Sequence, residues 1–274
     1  YYDQLMIYLQ RPEATACAEY DFWFDTMHRY VKRGAKGIAL VDNEGDSPKL
    51  RYVFDVADTG ARSNSRPVWL WQMKEEYQNP VMAALERAYG VSGENLSLEA
   101  QLEQVAGRLA ADYWMNYGRQ ISGIVADSFL EEYDEFNIGA AFRKAAQASI
   151  AYTLSVRCTE EAENQFEPED FRDVADFNTR QTAAALGTAV SSISREVFRE
   201  IERAIRDYER TKAQERSQDY EERNNIQTGR RLSASGDRVE RDDGEAFGQI
   251  RENAQSVSEG EQSDTVQRSG ADGA

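Results

Sequence analysis

The sequence predicts an α+β fold: a small N-terminal helix plus β-hairpin module over residues 1–65, a mainly helical region over 66–213, and a disordered, acidic C-terminal tail over 214–274. Three observations carry this. Leu50, Tyr52, Phe54 and Val56 alternate with Arg51, Val53 and Asp55, the period-2 signature of a strand. Beyond Pro67, apolar residues return every three to four positions, the period of an amphipathic helix. After about Gln214 that period is lost in a segment rich in Ser, Gly, Glu, Asp, Arg and Gln, which buries too little apolar surface to offset the entropy of ordering it.

In chain order, Tyr1 to Leu9 read as the interior of a helix already under way, the expectation for a segment of a longer chain, and Pro12 stops it. A second helix is expected over Ala14 to Met27. Lys32-Arg33-Gly34 reads as a turn and Ile38 to Val41 as a short strand. Asn43 to Pro48 have loop chemistry, so this strand and the alternating one after it form a hairpin. Pro80 suits the first turn of a helix through Tyr89, and Gly90 its end. A long helix follows Ser97, with Leu98, Leu102, Val105, Leu109, Tyr113, Tyr117 and Ile121 on one face. Another runs from about Asn137 to Cys158. Asn178 with Gln181 has the pattern of a capping box, opening a helix that aligns Leu186, Val190, Ile193, Val197, Ile201, Ile205 and Tyr208.

Composition narrows the function. The 274 residues carry 49 acids against 32 bases, a net charge of −17, and 41% are apolar. No signal peptide and no membrane span is legible. The most apolar stretch, Ile138 to Val156, holds Arg143 and Lys144. Cys17 and Cys158 lack CxxC spacing and read as buried free thiols of a reducing cytoplasm. With one histidine, His28, the chain cannot build HExxH, and no nucleophile motif, Walker loop or GxGxxG occurs. The expectation is a cytoplasmic non-enzyme with no cofactor, no catalytic residue and no metal site. The acidic runs Glu131 to Glu135 and Glu167 to Asp170 read as solvated helix ends rather than cation ligands, since carboxylates favour a helix N-terminus.

The charge is not evenly spread. Residues 1–65 hold ten acids and eight bases, whereas 66–213 hold twenty-five and sixteen. Between Thr26 and Val41 lie Arg29, Lys32, Arg33 and Lys36 with no acid. Trp23, Phe24, His28 and Tyr30 interleave with them. Cations that track phosphates beside aromatic faces that stack bases are what sequence-tolerant single-strand binding needs. The plainer reading makes Phe22, Trp23 and Phe24 the core face of a helix and the bases a solvated turn, and composition alone favours it.

Leu9-Gln10-Arg11-Pro12 with Ala14, then Trp23, then Arg29-Tyr30-Val31-Lys32-Arg33-Gly34-Ala35-Lys36-Gly37-Ile38, then Val53-Phe54-Asp55-Val56-Ala57-Asp58-Thr59, form an ordered series. In that series the first 60 or so residues resemble the N-terminal domain of ArdC-type antirestriction proteins, in the LtrC-like form found in large proteins of Firmicutes conjugative elements. That family usually has glycine before the arginine and lysine before the first turn glycine, where this chain has His28 and Arg33.

The resemblance implies an α+β module that binds single-stranded DNA; the candidate contact residues are Trp23, His28, Arg29, Tyr30, Lys32, Arg33, Lys36 and Arg51. It also implies a role in conjugative transfer or antirestriction of mobile DNA, with conjugation or DNA-processing proteins as further partners and no membrane. The alternative from another class is a protein-interaction or scaffold module of the conjugation machinery, whose motive is the acidity of the helical part. ArdC-type proteins also carry a zinc-peptidase-like domain after the module. The helix holding Ser149 to Thr153 takes a comparable place in chain order without any imidazole, and an unrelated helical bundle is the favoured reading there.

Overall fold

The computed structural model describes residues 1–42, 47–91, 93, 96–159 and 165–236. The turn residues expected between the hairpin strands fall mostly on 43–46, outside the described residues. Residues Tyr1–Ala213 form one compact unit and Gln214–Ala274 a second.

The first unit opens with helix α1 (Tyr2–Gln10). Strands β3 (Ile38–Asp42) and β4 (Lys49–Asp55) make the expected hairpin, with Ile38 opposite Val53 and Val41 opposite Leu50. The expected helix over Ala14–Met27 does not form. Its first half is strand β1 (Cys17–Glu19), which pairs antiparallel with β4 to give the order β1-β4-β3. The cause is a contact distant in sequence: the Asp55 carboxylate accepts from the backbone N–H groups of Thr15 (2.7 Å) and Ala16 (2.9 Å), which holds the chain extended beside β4. The second half is one wide helical turn at Phe22–Thr26. Strand β2 (Arg29–Val31) then pairs with β5 (Thr59–Ala61) as a separate ribbon, and a 3₁₀ turn at Val56–Asp58 leads from β4 into β5.

Ile38, Leu40 and Val53 form a small core under Met6, Ile7, Ala14 and Cys17 of the first segment. The edge of β3 is closed by a side chain. Gln10 Nε2 donates to Ala39 O (2.8 Å), and Ala39 N donates back to Gln10 Oε1 (3.0 Å). An edge strand left open would template pairing with another chain.

The rest is helical: α2 (Glu75–Tyr89), α3 (Leu98–Ser122), α4 (Glu135–Cys158) and α5 (Arg180–Gly236), with a 3₁₀ segment at Pro168–Asp176. Their boundaries follow capping chemistry. Gly90, at φ 63°, ends α2, and the Ser97 hydroxyl accepts from Ala100 N (3.2 Å) to open α3. Asp134 caps α4 through Asn137 N (2.8 Å), and Asp170 Oδ2 accepts from Glu167 N (2.9 Å) at the 3₁₀ segment. Two expectations shift. Pro80 lies inside α2 rather than in its first turn. The cap of α5 is Thr179, whose Oγ1 accepts from Thr182 N (3.2 Å), while Asn178 Oδ1 instead accepts from Phe129 N (3.1 Å).

The apolar stripes of α2–α5 meet in one core. At its centre Phe142 is fully buried against the rings of Tyr113 (5.9 Å), Trp114 (5.6 Å) and Phe177 (6.1 Å). Among the described residues no strand follows Ala61, so the helices around Tyr152 and Leu186 share a core built from helices and their connections. That arrangement is a helical bundle. On Gln214–Gly236 the expected disordered tail meets the continuation of α5, and residues 237–274 lie outside the described residues.

Candidate nucleic-acid interface

The motif residues of the N-terminal module sort into two groups, those that knit it together and those it presents. Asp55 is the main knot. Besides Thr15 and Ala16, its carboxylate accepts from Ala57 N (2.9 Å). Burial by itself would raise this carboxyl. The amides of Ala57, Ala16 and Thr15, with the Arg11 guanidinium nearby, outweigh burial and hold it below the usual carboxylate range. Arg11 pairs with Asp58, and the Arg29 guanidinium donates through Nε to Thr59 Oγ1 (2.8 Å). The hydroxyl of Thr59 in turn donates to Val56 O (2.8 Å). Gln10, Arg11, Asp55, Asp58 and Thr59 thus have a structural role: they tie the first helix, the sheet, the ribbon and the 3₁₀ turn together.

Two expected contact residues are taken up within the module, Trp23 in its core and Arg51 by ion pairs at its surface. Trp23 is 2% exposed, and its indole N–H donates to Phe54 O (2.8 Å). Its ring faces cannot take a base, because the wide turn at Phe22–Thr26 rotates Trp23 inward while Phe22 and Phe24 point out. Arg51 is engaged by two carboxylates, Asp3 and Glu19, so its charge is offset at home. Arg29 and Lys32 are intermediate cases. Arg29 is half-buried, and the Lys32 ammonium donates to Ala57 O (2.8 Å) while remaining exposed.

The presented group is smaller and clearer. Arg33 and Lys36 flank the turn at Gly34 (φ 86°) and are exposed, with no ion pair among the described residues. Tyr30 is 44% exposed and its ring lies over Gly60, where a side chain would collide with it. Phe24 is 39% exposed and stacks on Tyr20, with ring centroids 5.9 Å apart and planes 11° from parallel. The Arg62 guanidinium carbon sits 4.7 Å from the Phe24 centroid and 6.0 Å from that of Tyr30, bridging the two rings. His28 is half-buried at φ 53°, a left-handed conformation that glycine adopts without penalty.

Tyr20 and Arg62 are the members that sequence reasoning missed. Tyr20 stands four residues before Phe24, the spacing that brings two side chains together on a helix face, so that signal was present in the sequence. Arg62 reaches the rings only because β5 pairs with β2, with Gly60 opposite Tyr30 and Ala61 opposite Arg29. Three residues of strand carry no periodicity that could announce that pairing.

Among the described residues no group of three or more His, Cys, Asp or Glu side chains could hold a metal ion, and no helix is long and apolar enough to cross a membrane. The two thiols are quiet. Burial pushes Cys158 up to about 12 and also raises Cys17, which is beside Asp55. Comparison with known proteins returns no match to a family model, a curated protein or a solved structure.

Proposed function

We propose that the N-terminal module binds single-stranded DNA across the face formed by Tyr20, Phe24, Tyr30, Arg62, Arg33 and Lys36. The ArdC-type resemblance of the first 60 or so residues points the same way. The observation that carries the reading is the arginine-bridged ladder of exposed rings, together with two exposed cations of the same module that have no ion pair among the described residues. Stacked rings hold bases without reading them, worth about 1–3 kcal/mol per base, while cations follow the backbone. The rings of the ladder are exposed rather than core, and Tyr30 lies within the stretch between Thr26 and Val41 that carries four bases and no acid. In this reading the helical region supports the module, and the protein serves the conjugative transfer or antirestriction of mobile DNA, when DNA is single-stranded.

Fluorescence anisotropy of a labelled oligothymidylate tests it. Binding weakens steeply with salt, and Arg33→Glu/Lys36→Glu makes the dependence of log K on log salt shallower by about 0.7 for each phosphate no longer neutralised. Phe24→Ala/Tyr30→Ala weakens binding at every salt concentration with the slope retained. An absence of salt-sensitive binding at low ionic strength removes the proposal.

A scaffold role has an observation of its own, the exposed aromatic residues of the loop between α3 and α4.

A further inference from the structure

The connection between α3 and α4 and the first turn of α4 expose three aromatic residues: Phe129 at 67%, Tyr133 at 46% and Phe136 at 77%. The segment that carries them is otherwise fixed. Leu130 anchors it, fully buried. Asp127 is held in a left-handed conformation (φ 62°), and its N–H donates to Glu131 Oε2 (3.1 Å). Phe129 N is held by Asn178 Oδ1, Tyr133 N by Leu130 O (3.0 Å), and Asp134 caps α4. The rings are therefore presented at little further cost in order, as a binding surface requires.

What covers them is constrained by charge. Asp127, Glu131, Glu132, Asp134 and Glu135 flank the rings in the sequence, and no Lys or Arg occurs between Arg119 and Arg143. A nucleic acid or an anionic membrane is repelled, and so is a symmetric contact of this loop with itself. The occupant must offer cations beside apolar or aromatic surface. The chain carries that chemistry at the face of Phe24, Tyr30, Arg62, Arg33 and Lys36. Moreover, rings set among carboxylates reproduce the two features of a single strand that such a face holds, π surfaces and negative charges.

We infer that the α3–α4 loop of one copy docks on the basic-aromatic face of a second copy of this chain. The contact joins two different patches, so it is head-to-tail and does not close on two copies. It occupies the face assigned above to single-stranded DNA, and to that extent it rests on that reading: docking and DNA exclude one another, and DNA disassembles the chain of copies. The long-range repulsion of two acidic molecules is screened beyond roughly 10 Å at about 0.1 M salt, which leaves the local match to decide.

Complementation tests this. Sedimentation velocity is run on the full chain from low micromolar to a few hundred micromolar. The wild type shows concentration-dependent association. Phe129→Ala/Phe136→Ala, at exposed positions where folding is not at stake, weakens it at least about ten-fold. Arg33→Glu/Lys36→Glu does the same. Mixed together, the two variants form a one-to-one dimer that grows no further, because one keeps the face and the other keeps the loop. A wild type that stays monomeric, variants that associate like the wild type, or a mixture that does not complement would overturn the inference. A short oligothymidylate then separates the two proposals. Complementation without oligonucleotide binding removes the DNA reading and keeps the docking, while oligonucleotide binding by a strictly monomeric chain does the reverse.

Discussion

Asp55 shows how much one side chain decides in a small module. Buried and ringed by three backbone N–H groups, it fixes where the chain leaves α1 and where β4 ends. Hydrogen bonds to a charged acceptor are worth about 1.5–3 kcal/mol each, and an amide cannot accept at both former oxygens, so Asp55→Asn costs about 3 kcal/mol in urea unfolding of the module. The pH dependence has a definite sign. The folded carboxyl lies below its unfolded value of about 3.9, so the stabilisation is complete above that value and is lost as pH falls through the folded one. Loss of the β-ribbon signals below about pH 4, in the wild type but much less in Asp55→Asn, is the expected titration. His28 makes the opposite point. Its left-handed backbone strains any β-branched residue, so His28→Ile destabilises by about 1–2 kcal/mol, whereas His28→Gly is close to neutral. Thermal melts of the two variants give the comparison.

At the scale of elements, the α3–α4 pair depends on small residues. The Trp114 ring lies against two glycines, and a Cβ added at Gly118 or Gly139 would come within 2.8 or 2.7 Å of it. Gly139→Ala has no room to be accommodated by a flexible side chain, so it separates the helices and lowers stability by about 1–3 kcal/mol in a urea titration. The helical stripes themselves were legible, because a period of 3.6 repeated over 24 or 25 residues marks which face is buried. The short strands β1, β2 and β5 were not, since each has three residues and is fixed by partners distant in sequence. Cys158 reports on the same core. Its thiol, raised to about 12 by burial, stays unmodified by a thiol reagent at pH 8 until α4 opens, and its labelling rate follows unfolding when urea is added.

Across the whole molecule, the core of the first unit is complete before Ala213, closed by Ile201, Ile205 and Tyr208 on α5 and by the Lys212–Glu76 pair. A chain ending at Ala213 therefore keeps the cooperative unfolding transition of that unit in calorimetry. By losing six net negative charges, counted as fourteen acids and eight bases after Ala213, it binds an oligonucleotide at least as well as the full chain at low salt. Sequence alone determined the α+β class, the hairpin at Ile38–Asp55, the helical period after Pro67 and the local excess of bases around Lys32, because each is written in the spacing or charge of neighbouring residues. Only the tertiary structure decided that Trp23 is core, that Arg51 is neutralised by Asp3 and Glu19, and that Tyr20 and Arg62 join Phe24 and Tyr30 on one face. Those outcomes depend on contacts between segments up to 48 residues apart, and a linear pattern carries no record of which distant carboxylate or ring a side chain will meet.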